Sequence, residues 1–128
     1  MPVAMNRTGL DAAFDALLQA MSDQDLPRTM ACLSTTHEPA ILGSEAGESA
    51  RGTDQVASFL RHLYEHRAPF QFAFPERRWT VHGTVAWMTA DGRVDDLPYR
   101  LTALFVREDD SWKLALWSGA EPVPSRTS

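Results

Sequence analysis

The chain has 128 residues, of which 44% are hydrophobic and 23% charged, a composition typical of one globular domain. Its formal net charge is −5, and because an acidic chain repels phosphate backbones we expect no nucleic-acid partner. The single cysteine, Cys32, excludes an intrachain disulfide and any paired-cysteine metal or redox motif. A lone thiol fits a reducing compartment. Because no apolar run is long enough for a signal peptide or a membrane span, we expect a cytoplasmic protein with no membrane partner.

The first half of the chain has helical periodicity. Apolar residues recur at i, i+4, i+7, i+8 and i+11 and predict one helix, namely Leu10, Phe14, Leu17, Leu18 and Met21. Thr8 and Asp11 form a capping-box pattern, so we expect this helix to open there. A short second helix is predicted over residues 27–33, because the fixed φ of Pro27 suits a first helical turn.

A third helix is indicated by a second apolar stripe, formed by Val56, Phe59, Leu60, Leu63 and Tyr64. Thr53 is the predicted N-cap, and the helix should end near residue 67 because Pro69 blocks its continuation. The segment before it, residues 39–52, combines a short apolar run with three glycines. That pattern predicts a small hairpin, or a strand and a loop.

From Pro69 onward the apolar residues recur every second position, as is typical of a β-strand. Phe70, Phe72 and Phe74 alternate with other residues, so their rings should share one face of a strand, with a bulge or bend at Pro75. Residues 77–82 should continue it. Three further strands are predicted over residues 84–90, 99–107 and 112–119, separated by turns at Asp91-Gly92 and at residues 108–111. The predicted fold class is α+β, with three helices, an inserted hairpin and an antiparallel meander.

The last two strands predict which side chains point inward. If Arg107 pairs with Trp112, strict alternation places one set of residues on a common face: Tyr99, Leu101, Ala103, Phe105, Trp112, Leu114, Leu116, Ser118 and Ala120. The opposite face carries Leu104, Val106 and Trp117. Because that face is also apolar, it needs cover, and a partner subunit is the simplest source.

Several short stretches stand in a distinctive order along the chain: Ala40-Ile41-Leu42-Gly43-Ser44, Gly47-Glu48, Arg51-Gly52, Gly83-Thr84-Val85-Ala86-Trp87, Arg100-Leu101-Thr102-Ala103-Leu104-Phe105-Val106-Arg107 and Ser111-Trp112-Lys113-Leu114. In this order and spacing the sequence resembles the nuclear transport factor 2-like superfamily. In detail it is similar to the SnoaL-like members, which include relatives of ketosteroid isomerase. The resemblance covers roughly residues 8–121.

The resemblance implies a fold and an assembly. Three N-terminal helices should pack on a strongly curved, mainly antiparallel sheet that forms a cone with one pocket. The domain should span residues 8–121, with flexible termini at 1–7 and 122–128. A homodimer through the outer sheet face is expected, and no cofactor. The superfamily includes isomerases, cyclases, dehydratases and hydrolases as well as modules without chemistry, so the fold does not supply the function.

The pocket should lie between the helix stripes and the inward strand face. Its candidate lining residues are Phe14, Leu18, Tyr64, Tyr99, Leu101, Trp112, Leu116 and Ser118. Related sequences often end the last strand with His-x-Ser, whereas this chain has Ser118-Gly119-Ala120 there. A pocket imidazole at that place is therefore absent, and the catalytic residues stay unassigned.

Acid–base catalysis on an apolar substrate would need a carboxylate or histidine in the pocket and a hydrogen-bond donor for developing oxyanion charge. The available residues of these types are Tyr64, Tyr99, His82 and Glu48. His62 and His66 are four apart on one helix and could reach one metal ion. No third ligand is evident, so a half-exposed helix edge is the favoured interpretation and we expect no metal.

Three functions stay open at this point. The first is a homodimeric domain that binds a small, largely apolar molecule. The second is a cofactor-free isomerase, cyclase or dehydratase, and the third is a dimerisation module without chemistry. An ionisable group in the pocket would favour the enzyme, a wholly apolar lining would favour binding, and a filled pocket would favour the module.

Overall fold

Three helices and a six-stranded mixed sheet form the described part of the chain in the computed structural model, which covers residues 3–123 and the side chains of residues 9–123. The helices are α1 (Val3–Ser22), α2 (Leu26–Ala31) and α3 (Thr53–His66). The strands are β1 (Ala40–Leu42), β2 (Ser49–Arg51), β3 (Phe72–His82), β4 (Val85–Val94), β5 (Leu97–Glu108) and β6 (Ser111–Ala120). The sheet order is β2-β1-β6-β5-β4-β3. The α+β class is confirmed, while the cone shape stays a prediction.

The starts of the helices differ from the sequence-based expectation. α1 begins at Val3, so Thr8 lies inside the helix and the predicted capping box is wrong. The residues before Thr8 include Ala, Met and Arg, which are good helix formers, and the helix therefore extends back to Val3. α2 begins at Leu26, one residue before Pro27, and the Asp25 carboxylate caps it by accepting from the Arg28 amide at 3.1 Å. Flexible ends were predicted at residues 1–7 and 122–128; of these, residues 3–7 belong to α1, and residues 1–2 and 124–128 lie outside the described residues.

The third helix matches its prediction except at its first residue. α3 ends at His66, with Arg67 as the C-cap, close to the expected residue 67. Its N-cap is Gly52 rather than Thr53. Gly52 has φ of 85°, a left-handed conformation that glycine adopts without steric cost. The stripe residues Val56 and Leu60 are fully buried.

The predicted hairpin before α3 is confirmed. β1 and β2 pair antiparallel, with Ile41 opposite Ala50. β1 also pairs with β6 in parallel, with Ile41 opposite Trp117. This parallel pairing, which sequence periodicity did not predict, places the hairpin at one edge of the meander.

The β3–β4 hairpin confirms one expectation and corrects another. The register shifts between Ala73 and Glu76, so the chain bulges at Pro75 as predicted. Asp91 and Gly92, however, lie within β4 instead of forming a turn. Gly92 allows β3 to pack closely against β4, because a Cβ at this position would overlap the Ala73 carbonyl and the Phe74 ring.

The turn between β4 and β5 lies further along the chain than predicted. It is formed by Asp95 and Asp96, and Asp95 has φ of 57°. Aspartate tolerates this left-handed conformation better than most residues, so the pair turns the chain without a glycine.

A bulge in the β5–β6 pairing corrects the predicted sheet faces. Arg107 pairs with Trp112 as expected, but the register shifts between Leu104 and Phe105. Beyond the shift, Ala103 pairs with Trp117 and Thr102 with Ser118. The two faces of β6 therefore exchange, because one extra residue moves every later side chain to the other side.

Phe14 links α1 to the inner face of the sheet. Its side chain is fully buried, and its ring lies 5.8 Å from that of Phe74 and 6.3 Å from those of Phe105 and Trp117, measured between centroids. Arg77 of β3 covers the same ring at 4.7 Å and bridges to Asp15 of α1 at 2.6 Å. Aromatic packing and this ion pair together hold α1 on the sheet.

Within the described residues, no helix combines the length and apolar character that crossing a membrane requires.

Glu108 ties the segment after α2 to the β5–β6 hairpin. Its carboxylate accepts hydrogen bonds from the Ser34 hydroxyl, from the Thr36 hydroxyl at 2.7 Å and from the Thr35 amide at 3.2 Å. Burial acts to raise the pKa of Glu108, but these hydrogen bonds outweigh it and lower the pKa to about 2.

We predict that Glu108 makes the stability of the fold depend on pH in the acid range. Its folded pKa lies below the ordinary value of 4.5, so its contribution is complete above about pH 4.5 and is lost as the pH falls towards about 2. Glu108→Gln should lower the free energy of unfolding at pH 7 by about 1 kcal/mol, a low value because the carboxylate is partly exposed.

Urea unfolding at a series of pH values from 7 downward measures this effect. Glu65→Gln, on the exposed face of α3, is the matched control and should leave the pH dependence unchanged. If Glu108→Gln and the native chain show the same stability and the same pH dependence, the assigned role of Glu108 is wrong.

Candidate functional site

A cavity of about 320 Å³ opens beside the inner face of the sheet. It lies among the end of α1, α3, the β1–β2 loop, the start of β3 and the β4–β5 turn. Its lining residues are Met21, Ile41, Gly43, Ser44, Glu45, Glu48, Phe59, Leu60, Leu63, Arg67, Phe70, Phe72, Val94, Asp95, Leu97, Tyr99, Trp117 and Glu121.

The wall of the cavity is mainly apolar and aromatic. α3 supplies part of its apolar stripe, Phe59, Leu60 and Leu63. On the strand side, the rings of Phe72 and Trp117 meet edge to face, with centroids 5.5 Å apart. Such a surface favours apolar ligands, because contact with it removes apolar area from water.

A hydrogen bond between Trp117 and Tyr99 supplies the buried polar group of the wall. The Trp117 indole Nε1–H donates to the Tyr99 hydroxyl oxygen at 3.2 Å. Tyr99 is 8% exposed and Trp117 4%. Because the tyrosine oxygen accepts this bond, its own hydrogen stays available, and it is donated to no acceptor among the described residues.

The position of Tyr99 depends on Gly119, which lies directly under its ring. A Cβ at Gly119 would overlap the Tyr99 hydroxyl and ring carbons, so any larger residue would displace the tyrosine. Burial raises the pKa of Tyr99, the bond from Trp117 lowers it, and the nearby charges of Glu48 and Glu121 raise it further, with a net increase. The phenol is thus kept protonated and able to donate.

Carboxylates surround the polar side of the cavity. Glu48 Oε1 accepts from the Glu45 amide at 2.8 Å, and Glu121 Oε1 accepts from the Ser44 hydroxyl at 3.1 Å. Gly43 leaves space for Glu48, since a Cβ at that position would overlap the glutamate side chain. These hydrogen bonds from neutral donors fix the carboxylates without neutralising them.

An ion pair joins α3 to the β4–β5 turn at the cavity. Arg67 Nη2 lies 3.0 Å from Asp95 Oδ2, and the guanidinium stacks 3.7 Å from the centroid of the Phe70 ring. Asp95 Oδ1 also accepts from the Gln71 amide at 3.0 Å. The Gln71 bond and then the Arg67 bond lower the pKa of Asp95, so this carboxylate stays ionised and paired with Arg67.

Comparison with known proteins identifies the family. A model of the SnoaL-like domain matches residues 10–124, nearly the whole chain. The chain belongs to the SnoaL-like domain family. The sequence-based resemblance is therefore confirmed. A search of curated proteins finds no match to this sequence.

Solved structures agree on the fold of this SnoaL-like domain. A candidate dehydratase of the nuclear transport factor 2-like family from Streptomyces avermitilis superposes with a TM-score of 0.87 at 15% identity, covering 96% of this chain and 100% of the other. A ketosteroid isomerase-like protein from Erwinia carotovora atroseptica gives 0.72 at 19% identity, covering 91% and 96%. A candidate calcium/calmodulin-dependent protein kinase type II association domain from Thiobacillus denitrificans gives 0.76 at 18% identity, covering 88% and 94%. At these identities the likeness shows the fold alone.

Of the eight pocket residues predicted from the sequence, Tyr99 lines the cavity of the SnoaL-like domain. Phe14 and Leu101 are fully buried in the core. Trp112 is also buried, and its indole lies against Gly9 of α1. These three residues belong to the core between α1 and the sheet and are not part of the cavity lining.

The other four predicted residues lie elsewhere. Tyr64 faces α2, where its hydroxyl shares a 2.9 Å hydrogen bond with the Thr29 hydroxyl, and burial raises its pKa. Leu18 is half-buried against the core. Leu116 and Ser118 lie on the outer sheet face, because the β5–β6 bulge exchanges the faces of β6.

The remaining candidates for chemistry are separated in the structure. Glu48 lines the cavity, whereas His82 is exposed at the end of β3, opposite Val85. His62 and His66 stack with ring centroids 4.2 Å apart, and His66 Nδ1 lies 2.8 Å from the His62 carbonyl oxygen. Among the residues that the structure describes, no three His, Cys, Asp or Glu side chains lie close enough to hold a metal ion.

Sequence reasoning missed several lining residues. Strict alternation places Trp117 outward, because alternation alone does not reveal the bulge. Glu45, Asp95 and Glu121 lie in loops or after the last strand, where no periodicity indicates direction. The only sequence feature at these three positions is an acidic residue near a glycine or a turn. Acidic residues in such loops are usually solvent-exposed, so the feature does not indicate a site.

Proposed function

We propose that this SnoaL-like domain binds a small, largely apolar molecule in the cavity beside α3. The observation that supports this most strongly is an unfilled space of about 320 Å³ with a mainly apolar wall and one buried hydroxyl. This volume lies at the lower end of the range for small-molecule sites, about 300–1,000 Å³. The open cavity also favours binding over a module without a ligand.

The Tyr99–Trp117 pair would orient the ligand. Trp117 donates to the Tyr99 oxygen, which leaves the phenolic hydrogen for an acceptor atom on the bound molecule. A ligand with a ring or branched apolar body and one oxygen or nitrogen acceptor fits this arrangement. The apolar body would lie against Phe59 and Phe72.

A cofactor-free acid–base enzyme is the second candidate. It is favoured by the presence of the Glu48 carboxylate and the Tyr99 hydroxyl in the lining of the same cavity. Glu48 would remove a proton from the substrate, and Tyr99 would donate a hydrogen bond to the oxygen on which charge develops. In an isomerisation the protonated Glu48 would return the same proton to another carbon of the substrate. In a dehydration it would give the proton to the departing hydroxyl, which leaves as water.

We also propose that the domain acts in the cytoplasm as a homodimer formed through the outer sheet face. Trp87 on that face is 40% exposed, and Leu104 lies between it and Leu116 across the paired strands. Three adjacent apolar side chains in this position would be covered by a second copy.

Light scattering at micromolar concentration tests the dimer. We expect the native chain to show twice the 14.3 kDa mass of one chain and Trp87→Arg to reduce the mass to that of one chain. Ser58→Arg, on the exposed side of α3, is the control and should stay dimeric. A native chain that is monomeric at this concentration contradicts the proposal.

The cavity is tested with N-phenyl-1-naphthylamine, a neutral apolar dye whose fluorescence rises when it leaves water. We expect it to bind the native chain. Leu63→Trp should weaken binding at least tenfold, about 1.4 kcal/mol, because the larger indole would fill the space that Leu63 lines.

Ser58→Trp is the matched control, since it adds the same ring to an exposed position of the same helix. It should bind the dye as the native chain does. Equal binding by the two variants would mean that the dye binds somewhere other than the cavity.

A further inference from the structure

The charges around the cavity are strongly unbalanced. Its lining contains four carboxylates and one guanidinium, contributed by Glu45, Glu48, Asp95, Glu121 and Arg67. Arg67 is paired with Asp95 at 3.0 Å. Among the described residues, the other three carboxylates have no salt bridge, so the cavity presents about three uncompensated negative charges.

Two of these carboxylates, those of Glu48 and Glu121, are fixed in place by the fold. Glu48 is half-buried and is fixed by the Glu45 amide, while Glu121 is fixed by the Ser44 hydroxyl. Both bonds come from neutral donors, which orient a carboxylate but leave its charge. Held beside an apolar wall, such charges attract a cation more strongly than they would in bulk water.

The buried wall gives an independent indication of a ligand. Tyr99 is more than nine-tenths buried and lines the cavity, and its hydroxyl hydrogen is donated to no described residue. A bound molecule with an acceptor atom would complete this hydrogen bond.

Aromatic side chains of the wall can also receive a cation. The Arg67 guanidinium already stacks 3.7 Å from the centroid of the Phe70 ring. Phe59, Phe72 and Trp117 supply further rings to the same cavity. Aromatic faces attract ammonium groups, most strongly when the group is removed from water.

We propose that the cavity selects apolar molecules that carry a positively charged amine and rejects those that carry a carboxylate. This inference rests on the proposed binding function and names its ligand class. The apolar body contacts α3 and β3, and the ammonium group lies between the aromatic rings and the carboxylates of Glu48 and Glu121. An anionic ligand would meet those carboxylates without a free cation to offset them.

The test compares three molecules with the same naphthalene body. 1-Naphthylmethylamine is a cation at pH 7, 1-naphthalenemethanol is neutral, and 1-naphthaleneacetate is an anion. Each is titrated by its displacement of N-phenyl-1-naphthylamine from the native chain. We expect the amine to displace the dye at least tenfold more effectively than the alcohol, and the acetate to be weaker than both.

Salt dependence and variants identify the source of the preference. Raising the ionic strength from about 0.01 M to about 1 M shortens the screening length from about 30 Å to about 3 Å, so the amine preference should shrink. Glu48→Gln and Glu121→Gln should each lower the affinity for the amine more than the affinity for the alcohol, and so reduce the preference. Glu65→Gln, on the exposed side of α3, is the matched control and should preserve the preference.

The outcomes separate the two proposals. If the amine and the alcohol bind equally in low salt, the charge selectivity is wrong but the apolar site stands. If the acetate binds best, the selectivity is wrong in sign. If neither the dye nor any of the three molecules binds the folded chain, both the selectivity and the proposed binding function are overturned.

Discussion

The β-bulge between β5 and β6 decides which side chains reach the cavity. One extra residue in β6 turns Trp117 inward and places it opposite Ala103. From there its indole donates to the Tyr99 hydroxyl, while Gly119 leaves space for the tyrosine ring. Without the bulge, Ser118 would face inward, and the wall would lose both the indole and the partner that orients Tyr99.

The same bulge decides which side chains of β6 lie on the inner face of the sheet and which lie on the outer face. The inner face of β5 and β6 packs on Phe14 near α1 and lines the cavity near α3. The outer face receives Leu116 and Ser118, beside Leu104 and Trp87. A single irregularity in strand pairing thus supplies an aromatic ring to the proposed binding site and a leucine to the proposed dimer contact.

Much of the fold followed from periodicity. The apolar stripe from Val56 to Tyr64 predicted α3, and the alternation through Phe72 predicted β3 with its bulge at Pro75. These patterns are reliable because burial imposes a strict period on long elements. The features that the sequence did not predict either interrupt a hydrophobic period or lie outside one. The exchange of faces on β6 is of the first kind, and the left-handed turn at Asp95 is of the second. Loop carboxylates such as Glu121 give no directional signal at all.

In the proposed complex the ligand lies against the Tyr99–Trp117 pair, and the indole N–H signal of Trp117 in a ¹H–¹⁵N NMR spectrum tests this contact most directly. The chain has four tryptophans, and the spectrum of Trp117→Phe identifies which signal belongs to Trp117. Adding 1-naphthalenemethanol should move that signal and leave the signal of Trp87, on the outer face, unchanged. A shift of the Trp87 signal with the Trp117 signal unmoved would contradict the account.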